Sequence, residues 1–302
     1  MRVSRVAIIA LAGIISVSSW AQDLEPRALA RAPVGMHFVV LAYGHSSGNV
    51  VIDQALPIEN FNANVHSLSL AFATTFGLFN RMAKLDVIIP FSNASWEGLL
   101  DRERVFTERT GLGDPMARLS VNILGAPALA GQDFFASRSK FQLAGSLKIR
   151  APLGQYDPTK LVNLGTNRWL VRPSIGGSVQ LGKWVLESHL NLWLLTRNNS
   201  FYNGNTLSQK PILILQIHVI HEFKPGLWAA ISVGRSQGGE TIVNDLDQDN
   251  LQKNSRFGAA LAIPLSASHS LKLLFTSGVT TRYGADFDTY GLAYQYRWGG
   301  LR

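Results

Sequence analysis

The chain has 302 residues, 46% of them hydrophobic, with only 16% Asp, Glu, Lys and Arg and no cysteine. So few charges are thin cover for a soluble surface of this size, and the lack of cysteine excludes a disulfide framework, a thiolate metal site and a lipid-bearing cysteine. Lys and Arg outnumber Asp and Glu by 28 to 20, yet no basic stripe or binding motif accompanies the excess, which argues against nucleic acid as a partner.

At the N-terminus, Arg2 and Arg5 precede an apolar run from Val6 to Val17, and Ser19 and Ala21 are the small residues a signal peptidase needs. Residues 1–21 therefore read as a signal peptide cleaved after Ala21. The run falls short of the roughly 20 apolar residues of a spanning helix. An exported chain without disulfides points to a bacterial envelope. Residues 22–33 read as a polar periplasmic lead-in that either caps the inner end of the folded unit or is loose, and residues 34–302 as the folded unit.

From Val34 onward, strand-like alternation and turn signals succeed one another. Twelve segments are expected: 34–44, 65–77, 80–91, 112–124, 139–151, 168–181, 183–196, 211–224, 227–236, 254–264, 269–281 and 287–298. Most are slightly longer than the ~9–11 residues of a tilted membrane strand. Short connections at 78–79, 182–183, 224–226 and 265–268 alternate with long ones at 45–64, 92–111, 152–167, 197–210 and 237–253. Short periplasmic turns and long external loops are the pattern of an outer-membrane barrel. The expected fold is thus all-β, an antiparallel transmembrane β-barrel of 12 strands with periplasmic termini. Two connections depart from the pattern: 125–138 is long on the short side and 282–286 short on the long side.

Within each segment one face is apolar and the other polar. The last segment sets Tyr290, Leu292, Tyr294, Tyr296 and Trp298 against Gly291, Ala293, Gln295 and Arg297, and aromatic residues near a strand end suit the lipid–water boundary. Segment 139–151 opposes Phe141, Leu143, Leu147 and Ile149 to Gln142, Ser146, Lys148 and Arg150, and segment 211–224 opposes its aliphatic residues to Gln216, His218 and Glu222. Parity places Lys84, Arg118, Lys148, Arg150, Arg172, Glu187, Glu222, Lys272 and Arg297 in the lumen, with Asp86, Asp114 and Arg256 beside them. Such charges either line a solute path or pair into a network that fills a narrow bore; the excess of cations favours anions. The first segment is apolar on both parities, and His37 is set inward.

The block Ala151-Pro-Leu-Gly-Gln-Tyr-Asp-Pro-Thr-Lys-Leu-Val-Asn-Leu-Gly-Thr-Asn-Arg-Trp169 resembles the bacterial outer-membrane proteins grouped as transporters of the meta-pathway of phenol degradation. Gly111-Leu-Gly-Asp-Pro115, Gly125-Ala-Pro-Ala-Leu129, Gly204-Asn-Thr206 and Tyr294-Gln-Tyr-Arg-Trp-Gly-Gly300 fit the same family. The resemblance implies an outer-membrane barrel and an association with aromatic degradation; it carries no catalytic or substrate residues. The expected function is passive uptake of small solutes, aromatic or anionic, with outer-membrane lipids and the barrel-assembly machinery as partners and no cofactor.

Two other motifs bear on function. Asp245-Leu-Asp-Gln-Asp249 begins like a calcium loop, but Asn250 and Arg256 stand where such a loop needs Gly and Glu, so no metal is expected. His45 and Ser47 lie two apart, as in an outer-membrane phospholipase A, with Asn49 and Asn60 available to orient the imidazole. If His37 faces inward, that pair faces away from lipid. A lipid hydrolase and a non-conducting structural or adhesive barrel are the alternatives to a channel.

Overall fold

The computed structural model describes residues 24–51, 58–100, 103–137 and 139–300. The expected signal peptide and its cleavage site lie outside them. The chain begins its wall with β1 (Met36–Val51), β2 (Ile58–Leu78), β3 (Arg81–Leu100), β4 (Glu103–Leu112) and β5 (Met116–Leu124). A short helix α1 (Gly131–Ala136) precedes β6 (Phe141–Arg150), β7 (Leu170–Leu181) and β8 (Trp184–Leu195). Then come β9 (Asn198–Phe201), β10 (Asn205–Gln209), β11 (Ile212–Lys224), β12 (Leu227–Gly238), β13 (Thr241–Val243) and β14 (Leu246–Asp247). The last three are β15 (Gln252–Pro264), β16 (His269–Thr280) and β17 (Gly284–Gly299).

Twelve of these strands close into one antiparallel barrel, each paired with its neighbours. Closure is made by β1 against β17, from Met36↔Gly299 to Val51↔Gly284, so the barrel wall has no open edge. All twelve expected segments are wall strands. Among the described residues no helix is long and apolar enough to cross a membrane. The outward face is a band of exposed Leu70, Phe72, Val87, Ile89, Leu119, Ile149, Leu190, Leu215, Val233 and Leu292. Inward positions hold buried Ser69, Ser92, Asn122, His189, Gln216 and Ser232. This inside-out distribution is stable only when the outer solvent is lipid.

Three expectations are corrected. The connections 45–64 and 92–111 are not mainly loops: β2 runs for 21 residues and β3 for 20, carrying the wall well past bilayer height. Backbone N–H and C=O groups there find partners across a continued ladder, Asn64↔Ser95 and Phe106↔Glu97 for example, which a loose loop would leave to water. Loops 197–210 and 237–253 likewise hold β9, β10, β13 and β14, a separate four-stranded sheet packed on Phe201, Leu207 and Val243. Finally, His37 faces outward: its ring lies 5.4 Å from Trp298 and stacks at 6.3 Å on Phe72. With both parities of β1 apolar, only the register of its two neighbours decides the face.

Trp298 also stacks on Tyr296 at 5.4 Å, forming an aromatic corner at the end where the turns are short. We expect Trp298→Ala to destabilise the barrel by about 1–3 kcal/mol and to lower the heat-modifiable fraction recovered from lipid refolding. Equal recovery of wild type and variant would contradict the role of this corner.

Candidate functional site

The segment expected to be a periplasmic lead-in lies inside the barrel. Residues 24–33 enter the lumen from the short-turn end and fold there as turns, with Ala28 N–H donating to Glu25 O at 3.2 Å and Ala30 N–H to Arg27 O at 3.1 Å. The physical reason is electrostatic: the inward-facing cations of β3, β5, β6 and β7 need more carboxylate than Asp86 of the wall supplies beside them. Glu25 provides it. Its Oε1 accepts from Lys148 Nζ at 2.8 Å and lies 3.4 Å from Arg172 Nη2, while its Oε2 pairs with Arg118. Asp86 adds a second carboxylate, 3.0 Å from Arg118 Nε and 3.5 Å from Lys84 Nζ.

Further contacts fix the segment along its length. Lys84 Nζ donates to Ala28 O at 2.8 Å. On the opposite wall Arg27 pairs with Glu222, and its backbone N–H donates to Glu187 Oε2 at 2.7 Å. Near the exit, Thr75 Oγ1 donates to Pro33 O at 2.6 Å and Ala32 N–H approaches Met82 Sδ at 3.2 Å. Shape matches charge. A Cβ at Gly234 or Gly258 would come within 2.9 or 2.7 Å of Leu24, and one at Gly176 within 2.7 Å of Leu29. These inward glycines leave room for the two leucines, and a cavity of about 10 Å³ remains beside Leu29 and His189.

The long connection 125–138, anomalous in the sequence, serves as the floor. Val34 N–H donates to Leu129 O, Gly131 N–H to Gly300 O, and Arg31 lies over the Phe134 ring of α1 at 4.9 Å. At the other end, loop 152–167 folds inward. Asp114 holds it: Oδ1 accepts from Gly154 N–H at 3.0 Å, and Oδ2 from Thr166 N–H and Oγ1 at 2.9 and 2.7 Å. A Cβ on Gly154 or Gly165 would collide with backbone at 2.6 or 2.8 Å. Leu161, Val162 and Leu164 of the loop join Val50, Phe61, Val65, Trp96 and Phe287 in an apolar cluster on the inner wall. The mouth is therefore apolar and the waist is charged.

The nine residues expected to line the lumen separate into groups. Lys84, Arg118, Lys148 and Arg172 meet at the N-terminal segment, and Glu187 and Glu222 hold its far side. Arg150 stands one step nearer the long-loop end, 3.8 Å from Asp114. Lys272 is inward and half-buried, opposite Ala262 and Ala293. Arg297 is corrected: it is exposed at the short-turn rim, where its Nε donates to Ala267 O at 2.8 Å. As the third residue from the end of β17, it lies beyond the lumen's charged waist. Sequence parity missed Glu25 and Arg27, which lie outside the strands, and Arg168, which heads the expected segment 168–181 on the parity of Arg172 but precedes β7. The signal available was the run of inward glycines, since glycine in a strand marks a close approach.

Of the other motifs, His45 faces outward, bonded through Nε2 to Asn64 Oδ1 at 3.0 Å and stacked on His66 at 4.6 Å. Among the described residues no hydrogen bond joins it to Ser47. In the acidic loop, Asp245 pairs with Arg197 at 3.1 Å and Asp247 with Lys210 at 3.2 Å.

Fold and lumen together define a membrane β-barrel of the outer-membrane type, its bore filled by its own leading segment. Residues 44–296 match the family model described as "Putative MetA-pathway of phenol degradation", and the chain belongs to that family. Among solved structures, an outer membrane channel from Pseudomonas putida F1 is 20% identical with a TM-score of 0.78, over 91% of this chain and 100% of that one. The β domain of the Bordetella autotransporter BrkA is more distant, 12% identical with a TM-score of 0.49, over 88% of this chain and 100% of that one. No curated protein sequence matches the chain.

Replacing Glu25 by Ala leaves three buried cations short of a partner, a loss of about 3–5 kcal/mol for a broken buried pair. We expect the segment to leave the lumen as a result. Because the chain has no cysteine, a single Leu29→Cys reports this cleanly: maleimide labelling should be at least tenfold faster when combined with Glu25→Ala. Unchanged labelling would mean that Glu25 does not hold the segment.

Proposed function

We propose that this protein is an outer-membrane channel for passive uptake of small solutes, aromatic or anionic, with short turns and both termini on the periplasmic side. The observation that carries the reading is the kind of closure. The bore is filled by a segment that precedes the barrel and is held by ion pairs, rather than by large side chains rooted in the wall. A closure tied on in this way can be displaced without unfolding the wall, whereas a packed core cannot. Family membership and the likeness to an outer membrane channel support the same class.

The lining supports the solute class. An apolar mouth with Trp96, Phe61 and Phe287 admits a ring, and the cation-rich waist below attracts negative charge. Outer-membrane lipids surround the apolar band, and the barrel-assembly machinery inserts it. No cofactor takes part. One observation favours a second reading: His45 faces lipid with Asn64 as its partner, next to Ser47 on the same face. If that group hydrolyses lipid, purified protein will release fatty acid from phospholipid vesicles and Ser47→Ala will not.

Conductance in planar bilayers tests the channel. We expect small, infrequent openings from wild type and at least severalfold higher conductance from Glu25→Ala. Reversal potentials in a salt gradient should show anion preference, which moves toward cations in Lys148→Gln/Arg172→Gln and weakens at high ionic strength. A barrel that stays silent after labelling has shown the segment released would be structural only.

A further inference from the structure

We propose that Arg150, Arg168 and Arg172, beside Trp193, form a binding site for the carboxylate of a small apolar or aromatic acid, one step above the Glu25 clamp. The inference rests on the channel reading for its biological sense, though not for its geometry. Arg172 is level with Lys148 across the β6–β7 pair, and Arg150 is level with Leu170. Arg168 follows on the same parity toward the long-loop end. The three guanidinium groups thus rise as a column from the clamp toward the inward-folded loop.

What marks the column is the lack of acceptors. Arg168 is 2% exposed, Arg150 and Arg172 5%, and Trp193 4%. Yet Arg150 Nε and Nη2, Arg168 Nε and Nη1, Arg172 Nε and Trp193 Nε1 are buried N–H donors with no hydrogen-bond partner in the structure. Arg172 reaches Glu25 through Nη2 at 3.4 Å, while the carboxylate nearest Arg150, Asp114, already accepts three hydrogen bonds from Gly154 and Thr166 and lies 3.8 Å from Arg150 Nε. Burial, with Arg150 close by, pushes the Arg168 guanidinium down to about 10. A buried cation left in this condition is costly unless an anion completes it.

The flanking surface selects what that anion is attached to. Trp193 packs with Leu170, Ile212 and Ile214, and Arg172 lies over its ring at 5.9 Å. A carboxylate accepting from the guanidinium forks leaves its apolar body against this wall. A fully hydrated phosphate gains nothing from it. Glu25 already shows the chemistry one level down, as a carboxylate tethered to the chain and bound by Arg172 and its neighbours.

Equilibrium binding of radiolabelled benzoate to the full-length barrel in detergent tests the site without requiring conduction. We expect saturable binding, weakened at least tenfold by Arg168→Gln and lost in Arg150→Gln/Arg168→Gln. The rim variant Arg297→Gln should bind as wild type. Heat-modifiability shows that each variant is folded, and Arg168→Gln alone should melt higher than wild type without ligand, because it removes an uncompensated buried charge. Retained binding in the folded double variant overturns the proposal. So does equal competition by benzyl alcohol, which shares the ring and lacks the charge, or by inorganic phosphate, which has the charge and lacks the ring. A silent bilayer with benzoate binding intact would sink the channel reading and leave the site.

Discussion

The carboxylate of Glu25 against Arg118, Lys148 and Arg172 is the interaction on which the interior depends. Three adjacent strands present cations at one height, and Asp86 alone cannot balance them. A charged group removed from water needs a counter-charge and hydrogen bonds, or it destabilises the fold by several kcal/mol. The wall therefore remains incomplete without a residue that is not part of it. From this one requirement follow the path of residues 24–33, the glycines that admit Leu24 and Leu29, and the long connection that closes the bottom.

Asp114 does at the other end what Glu25 does at the waist. It stands between β4 and β5, where Gly113 and Pro115 interrupt the ladder, and its two oxygens fasten Gly154 and Thr166. The loop so fastened turns its apolar residues onto the inner wall. Two sequence blocks far apart in the chain, 111–115 and 151–169, meet at this carboxylate. Their glycines are needed because backbone passes within van der Waals distance of backbone. Conformation, not chemistry, explains most of that family-like block; Arg168 is the residue in it that conformation leaves unexplained.

The wall was legible from sequence because a two-residue period forces each side chain to lipid or lumen, and lipid tolerates only one kind. Lys84, Arg118, Lys148, Arg150, Arg172, Glu187 and Glu222 fell inward for that reason. Where the period is uninformative, parity gives no face: β1 is apolar on both, and His37 lies against Phe72 and Trp298 on the lipid side rather than in the lumen. Arg297 obeyed parity and still misled, since parity gives a direction and says nothing of height along the barrel. The lumen's occupant was illegible because residues 24–33 have no period at all. Their position is set by charges contributed by strands far along the chain.

Those distances also order the events of assembly. Glu25 is separated from Arg118, Lys148 and Arg172 by 93, 123 and 147 residues. In an open chain, each contact would require closing a very long loop. Once β1 has joined β17, the same carboxylate is tethered a few residues from the rim of a finished cylinder, and its effective concentration at the clamp is high. The clamp thus closes at far lower entropic cost in a finished cylinder than in an open chain, and the cations on its inner wall are the template that the leading segment completes.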